Sequence, residues 1–223
     1  MVHIKSKING AAIFFDFDGT LADTMEDNYK SWDITFKDLG IKIKREDYFP
    51  LEGMSLREIV KLIIKKYNGK DLEIDKIIRK KEEIFRNINK FSLYEGSIEL
   101  IDKLKDNQVF LALVSAALRD RIFKTTPLEF LSKFNIVITS DNFERFKPYP
   151  DPYLKALNAS GLEAGSCIVV ENSPFGIKAA KSAELYCIAI ASTLDKSYLK
   201  EADEVVSNLS ELKNCERIAS LLR

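Results

Sequence analysis

Net charge is the first thing this sequence lacks. Lys+Arg and Asp+Glu both number 34 in 223 residues, so no global field draws the chain to nucleic acid or to an anionic membrane. Cysteine is scarce and odd in number, at Cys167, Cys187 and Cys215. The first two lie inside apolar runs, which fits buried reduced thiols and not a disulfide framework. Long apolar runs are missing too. No segment approaches the ~18 residues of a membrane span, and Met1–Gly10 has no signal-peptide core. Histidine occurs once, at His3, and reads as an exposed N-terminal residue. These absences point to a soluble, cytoplasmic protein with neither nucleic acid nor membrane as partner. They leave the oligomeric state open.

What is present is a rhythm. Short apolar runs recur at Ala11–Phe15, Val109–Val114, Ile136–Thr139, Cys167–Val170, Tyr186–Ala191 and Glu204–Val206. Helical patterns such as Ser97–Lys105, Pro152–Ser160 and Pro174–Ala183 lie between most of them. Strands alternating with helices imply βαβ units, a parallel sheet and helices on both faces. One block breaks the alternation. From about Thr24 to Phe91 only helical periodicity is found, with apolar stripes at Ile59, Leu62, Ile63 and Tyr67 and at Ile74, Ile77, Ile78, Phe85 and Ile88. Ser55 reads as the cap of a helix over Leu56–Lys66, closed by Asn68-Gly69. The block reads as a helical lid inserted after the first strand, with hinges at Leu21–Thr24 and Phe91–Ser97. Its 16 basic against 13 acidic residues argue no nucleic-acid surface. Tyr29 and Trp32, three apart on its first helix, read as core.

Four strand ends carry polar residues. Ala11–Phe15 runs into Asp16 and Asp18, two positions apart and so on one side of an extended chain, followed by Gly19 and Thr20. Val114 is followed by Ser115 and Ala116, Phe146 by Lys147 and a proline, and Val170 by Glu171 and Asn172. Loops at the carboxyl ends of parallel strands are where ligands bind. Taken singly these residues have plain readings: a capped strand end or calcium loop for the acids, a solvated lysine, a serine closing a strand. An EF-hand, however, would need Gly where Leu21 stands. Together they suit phosphoryl transfer. One carboxylate attacks phosphorus, a second moves the proton, and the hydroxyl and ammonium neutralise phosphate oxygens. Oxygens from the Asp16 and Asp18 region and from Glu171 suit Mg2+.

Asp16-Phe17-Asp18-Gly19-Thr20, Ser115, Lys147 and Glu171-Asn172 resemble, in order, the four motifs of the haloacid dehalogenase-like superfamily. The helical insert is similar to that family's alpha-helical cap, and the resemblance extends over nearly the whole chain. It is nearest the β-phosphoglucomutase-like subgroup, through Leu21-Ala22-Asp23-Thr24, Pro150-Asp151-Pro152-Tyr153 and Ser173-Pro174-Phe175-Gly176-Ile177. The resemblance implies an α/β fold: a Rossmann-like core of residues 1–22 and 93–223 with an all-helical cap of residues 23–92. It implies Asp16 as nucleophile and Asp18 as general acid/base. Thr20, Ser115, Ala116 and Lys147 would hold phosphate. Mg2+ would be held by Asp16, the Asp18 carbonyl, Glu171 and Asn172, with Glu171 the direct carboxylate and Asn172 a neutral ligand or neighbour.

The sequence departs from the family pattern in three places. The second acid of motif four is Asn172. Asn28 stands where the sugar-phosphate mutases carry a His in the first cap helix. Arg57 comes one residue later after Gly53-Met54-Ser55 than the mutases' arginine, a rotation of ~100° on a helix. Asn28, Met54, Arg57 and Lys80 are the candidate cap residues facing substrate, although the plainer reading of Arg57, Lys80 and Lys81 is as exposed helix charges. The expected activity is Mg2+-dependent hydrolysis of a small phosphorylated metabolite through an aspartyl-phosphate. Alternatives are a sugar-phosphate mutase, a C–Cl dehalogenase of the same superfamily, and a non-catalytic binding protein on the same fold.

Overall fold

The computed structural model describes residues 9–69 and 72–223, so His3 lies outside the described residues. All six apolar runs form strands, five trimmed or extended by one residue and the last unchanged: β1 (Ala12–Phe15), β2 (Phe110–Val114), β3 (Ile136–Ile138), β4 (Cys167–Glu171), β5 (Tyr186–Ile190) and β6 (Glu204–Val206). They form one parallel sheet in the order β3-β2-β1-β4-β5-β6. Burial on both faces is why these strands read as near-continuous apolar runs.

Alternation along the strands divides the core into two layers. Ile13, Phe15, Leu111, Leu113, Ile168 and Val170 face α5 (Ser97–Asp106), which brings Leu100, Ile101 and Leu104. Phe14, Ala112, Val114, Val169 and Cys187 face α8 (Asp151–Ser160) and α9 (Pro174–Ser182), which bring Tyr153, Ala156, Ile177 and Ala180. The chain goes from β1 out to β2 and β3, then returns to β4 on the other side of β1. That reversal opens a crevice beyond the carboxyl ends of β1 and β4.

Between β1 and α5 the described residues hold only helices: α1 (Met25–Lys37), α2 (Arg45–Tyr48), α3 (Leu56–Lys66) and α4 (Ile74–Ile88), with a 3-10 turn at Phe49–Leu51. They enclose a core of their own around Trp32, Phe36, Ile43, Tyr48, Ile59, Val60, Ile63 and Ile77. The α3 boundaries are as the sequence implies. Ser55 Oγ accepts from Glu58 N at 3.2 Å, and Gly69 N donates to Ile64 O at 2.8 Å while Asn68 takes φ +51°. Leu62 departs from expectation. It is 40% exposed, because Ile59, Val60 and Ile63 set the buried face and Leu62 falls beyond its edge.

The two expected hinges run side by side. Ala22 bridges Leu93 in antiparallel fashion, Asp23 N donates to Ser92 O at 2.9 Å, and Tyr94 N donates to Leu21 O at 3.0 Å. The remaining α-helices among the described residues are α6 (Arg119–Thr125), α7 (Leu128–Leu131) and, near the C-terminus, α10 (Glu216–Leu221). Among the described residues no helix is long and apolar enough to cross a membrane.

Candidate active site

Asp16 leaves β1 at the crevice, with its N–H on Val170 O at 2.9 Å. Its carboxylate is buried. Lys147 Nζ donates to Asp16 Oδ1 at 2.6 Å and to Glu171 Oε1 at 2.5 Å, so one ammonium ties the end of β1 to the end of β4. Burial, the Glu171 charge and the Asp18 charge together outweigh Lys147 and hold the Asp16 carboxyl well above the usual carboxylate range. Burial would depress the Lys147 ammonium, but its two carboxylates raise it above a free lysine. The lysine is therefore a permanent cation here.

Glu171 is fully enclosed and its two oxygens are both occupied. Oε1 accepts from Lys147 and from Tyr153 OH at 2.8 Å; Oε2 accepts from Asn172 N (2.8 Å), Ser173 N (3.0 Å) and Ser173 Oγ (3.0 Å). Burial pushes this carboxyl up, but Lys147 and the ring of donors bring it below its ordinary value. The side chain that reaches the Asp16 neighbourhood with an oxygen to spare is that of Asn172. Its amide Nδ2 donates to Thr193 Oγ1 at 3.1 Å, and its Oδ1 faces Thr20. The expected division is thus altered, with Asn172 in the forward position and Glu171 holding Lys147 from behind.

Thr20 Oγ1 lies 3.2 Å from both Asp16 Oδ2 and Asn172 Oδ1. A hydroxyl has one proton, so it satisfies one of these acceptors at a time. Two oxygens sharing one donor, beside a carboxylate cluster with excess negative charge, form a donor set that suits a hard cation such as Mg2+. Gly19 makes the close approach possible. Its φ is +86°, and a Cβ there would strike Asn172 Nδ2.

Asp18, also buried, faces the helical insert. Thr24 Oγ1 and Asn28 Nδ2 donate to its Oδ1 at 2.6 and 3.3 Å, and the Arg121 guanidinium pairs with its Oδ2. Ser115 ends β2 beside β1, its Oγ accepting from Ala117 N at 3.1 Å, and Ala116 follows it. From the insert, Gly53 comes down directly on the site. A Cβ there would stand 3.1 Å from Ser173 Oγ and 3.2 Å from Lys147 Cδ. The next residue, Met54, is half-buried against the insert's own core.

Two cap expectations need correction. Lys80 is exposed and pairs with Asp38 at 2.5 Å on the outer side of α4, away from the acids. One residue and ~100° further round, Lys81 is buried and donates to Asn28 Oδ1 at 2.8 Å and Glu82 Oε1 at 2.9 Å. Burial pulls its ammonium below a free lysine. Lys81 is thus not an exposed helix charge. Its place between Ile77 and Phe85, four residues from each, put it on the apolar stripe of α4 and was the signal to read. Arg57 is exposed and paired with Asp75, at the edge of a cavity of about 330 Å3. That cavity lies between Ile78 of the insert and Ala116, Leu118 and Phe146 beneath it. Arg121 was missed by sequence reasoning altogether, since nothing in its local pattern distinguishes it from a surface arginine.

A family model for haloacid dehalogenase-like hydrolases matches residues 13–190. The chain belongs to the haloacid dehalogenase-like hydrolases. Validoxylamine A 7'-phosphate phosphatase of Streptomyces hygroscopicus subsp. limoneus is 28% identical over 209 residues, covering 89% of this chain and 94% of that one. SUPPRESSOR OF QUENCHING 1, a chloroplastic protein of Arabidopsis thaliana, is 27% identical over 86% of this chain, which spans only 19% of that protein. The crystal structure of CbbY from Rhodobacter sphaeroides in complex with phosphate superposes with a TM-score of 0.79 at 27% identity, over 91% of this chain and 96% of that one. Within this hydrolase family the chain is of the β-phosphoglucomutase-like kind, an enzyme acting on a phosphorylated substrate as a phosphatase or phosphoglucomutase.

Proposed function

We propose that the protein is a Mg2+-dependent phosphatase of a small phosphorylated metabolite, with Asp16 as nucleophile. The observation that carries this reading is the convergence of Asp16, Lys147 and Thr20 at the carboxyl end of β1, with Asp18 held separately two residues on. In the first step an Asp16 carboxylate oxygen bonds to phosphorus, the bond from phosphorus to the ester oxygen breaks, and Asp18 gives that oxygen its proton. In the second, water bonds to phosphorus while Asp18 takes up its proton, and the bond between phosphorus and Asp16 breaks, releasing inorganic phosphate. Lys147, Ser115 and the backbone at Ala116 neutralise the phosphate oxygens. Asp16, the Asp18 carbonyl and Asn172 would hold Mg2+, which supplies charge neutralisation at the transferring phosphoryl group. Residues 1–22 and 93–223 then form the catalytic core and residues 23–92 the cap. The cavity between Ile78 and Phe146 is the space for the part of the substrate beyond its phosphate. Three reduced, buried thiols support a reducing, cytoplasmic setting.

A phosphate-ester panel with the wild type and Asp16→Asn, in Mg2+, tests the reading. The variant should lose activity by about 10^3-fold or more; full activity without the Asp16 carboxylate would end the proposal. Water is favoured over sugar as the second acceptor by Asn28 standing where the mutases carry a His. With β-glucose 1-phosphate and a trace of bisphosphate primer, inorganic phosphate is the expected product; glucose 6-phosphate would establish the mutase instead.

A further inference from the structure

Arg121 belongs to α6, outside the helical insert, yet its guanidinium is buried against the insert. One terminal nitrogen pairs with Asp18 Oδ2; the other donates to Asn28 Oδ1 of α1 at 3.0 Å. The ring of Phe85 on α4 lies 4.7 Å from its Cζ. Its third nitrogen, Nε, stands 3.9 Å from Glu82 Oε2, and neither of these buried atoms has a hydrogen-bond partner among the described residues. They face each other across a gap just too long for a bond. A shift of about 1 Å of α4 toward α6 would close it. Beside it, Arg86 of α4 and Asp120 of α6 approach to 3.6 Å on the surface.

The two oxygens of Asp18 are thus held from different sides. Thr24 and Asn28, at the start of the insert, hold Oδ1, while Arg121 holds Oδ2. Asn28 Oδ1 in turn accepts from both Arg121 and Lys81. We propose that Arg121 is a positioning residue that couples closure of the cap to the orientation of Asp18. Resting on the phosphatase reading above, it makes two events one: the contacts that aim the acid/base are those that bind α1 and α4 to α6. A planar fork with five donors suits this task, since one residue meets Asp18, Asn28 and Glu82 at fixed angles. A lysine would meet one of them well.

The test compares Arg121→Met and Arg121→Lys with the wild type on two esters. p-Nitrophenyl phosphate loses its phenolate without protonation, whereas glycerol 2-phosphate needs a proton on its alkoxide. Arg121→Met should lower kcat/KM, which ends at phosphoenzyme formation and so leaves out the hydrolysis step common to both esters, by about 30-fold on glycerol 2-phosphate and by less than about threefold on p-nitrophenyl phosphate. Arg121→Lys should recover part of the difference. Small-angle scattering should show a larger radius of gyration for Arg121→Met, read at a temperature below the onset of its unfolding. Equal losses of kcat/KM on both esters, or no loss on either, would overturn the proposal, as would unchanged scattering. Should Arg121→Met fail to fold, Arg121→Lys carries the same comparison. Asp16→Asn separates the two readings: if it keeps activity, the nucleophile assignment falls, while scattering still judges the latch.

Discussion

Gly176 occupies a position where a Cβ fits only if its neighbours move. It lies in the first turn of α9, and a Cβ there would overlap the Glu171 carboxyl group. Gly176→Ala must therefore displace Glu171 from Tyr153, Ser173 and Lys147, leaving Lys147 to swing away from Asp16. Overpacking at such a site is expected to cost about 3 kcal/mol and to abolish most phosphate release. Denaturant melts and a phosphate assay on the purified variant would measure both. At this scale the sequence was informative wherever a polar residue closes an apolar run. Asp16, Asp18, Ser115 and Glu171 are conspicuous because a buried strand has few plain reasons to end in them. The cations were harder. Whether a helix charge is buried depends on the element packed against it, so Lys80 and Lys81 look alike in sequence although one meets solvent and the other meets Asn28. Arg121 shows the limit most clearly, because its partners lie 93 and 103 residues away.

Among the elements, the helical insert carries its own electrostatic pin. Asp47 of α2 accepts from Lys44 N at 2.7 Å and from Tyr67 OH, and pairs with Lys66 at the end of α3. Burial pushes this carboxyl up, but those donors outweigh it and hold it below the usual range. A carboxyl depressed by folding stabilises fully above its unfolded pKa of about 4, and that contribution is lost as pH falls through the lower, folded value. Asp47→Asn should therefore lower stability by about 2 kcal/mol at pH 7. The gap from wild type should close as pH is taken below about 4. Urea unfolding followed by fluorescence of Trp32, the sole tryptophan and a core residue of the insert, reads this directly. Element types were largely legible because period 3.6 and period 2 differ so plainly. The placement of Leu62 was not: an apolar residue at the edge of a stripe is buried or exposed according to the neighbouring helix.

For the molecule as a whole, the two apolar layers around one parallel sheet enclose all three thiols. Cys167, Cys187 and Cys215 are free and buried, and burial pushes each thiol above its ordinary value, Cys215 to about 12. A thiolate reagent such as dithionitrobenzoate should label fewer than about 0.3 thiols per native chain within minutes and all three in guanidinium. Rapid native labelling would show that the sheet opens far more readily than its packing implies. The overall architecture was legible because alternating strands and helices admit few topologies. The grip of the insert on the crevice was not, since the approach of Gly53 to Lys147 depends on three-dimensional fit alone.

The pairing of Ala22 with Leu93 has a consequence for how such an enzyme diversifies. The chain departs for the insert and returns from it through neighbouring residues joined by backbone hydrogen bonds, Asp23 to Ser92 and Tyr94 to Leu21. To the sheet, everything between is a long excursion from a two-stranded doorway of fixed width. Helices can be lengthened, shuffled or exchanged there without stretching a single strand. Heredity can then rewrite which molecule is admitted while the phosphate chemistry beneath passes unaltered from one descendant to the next.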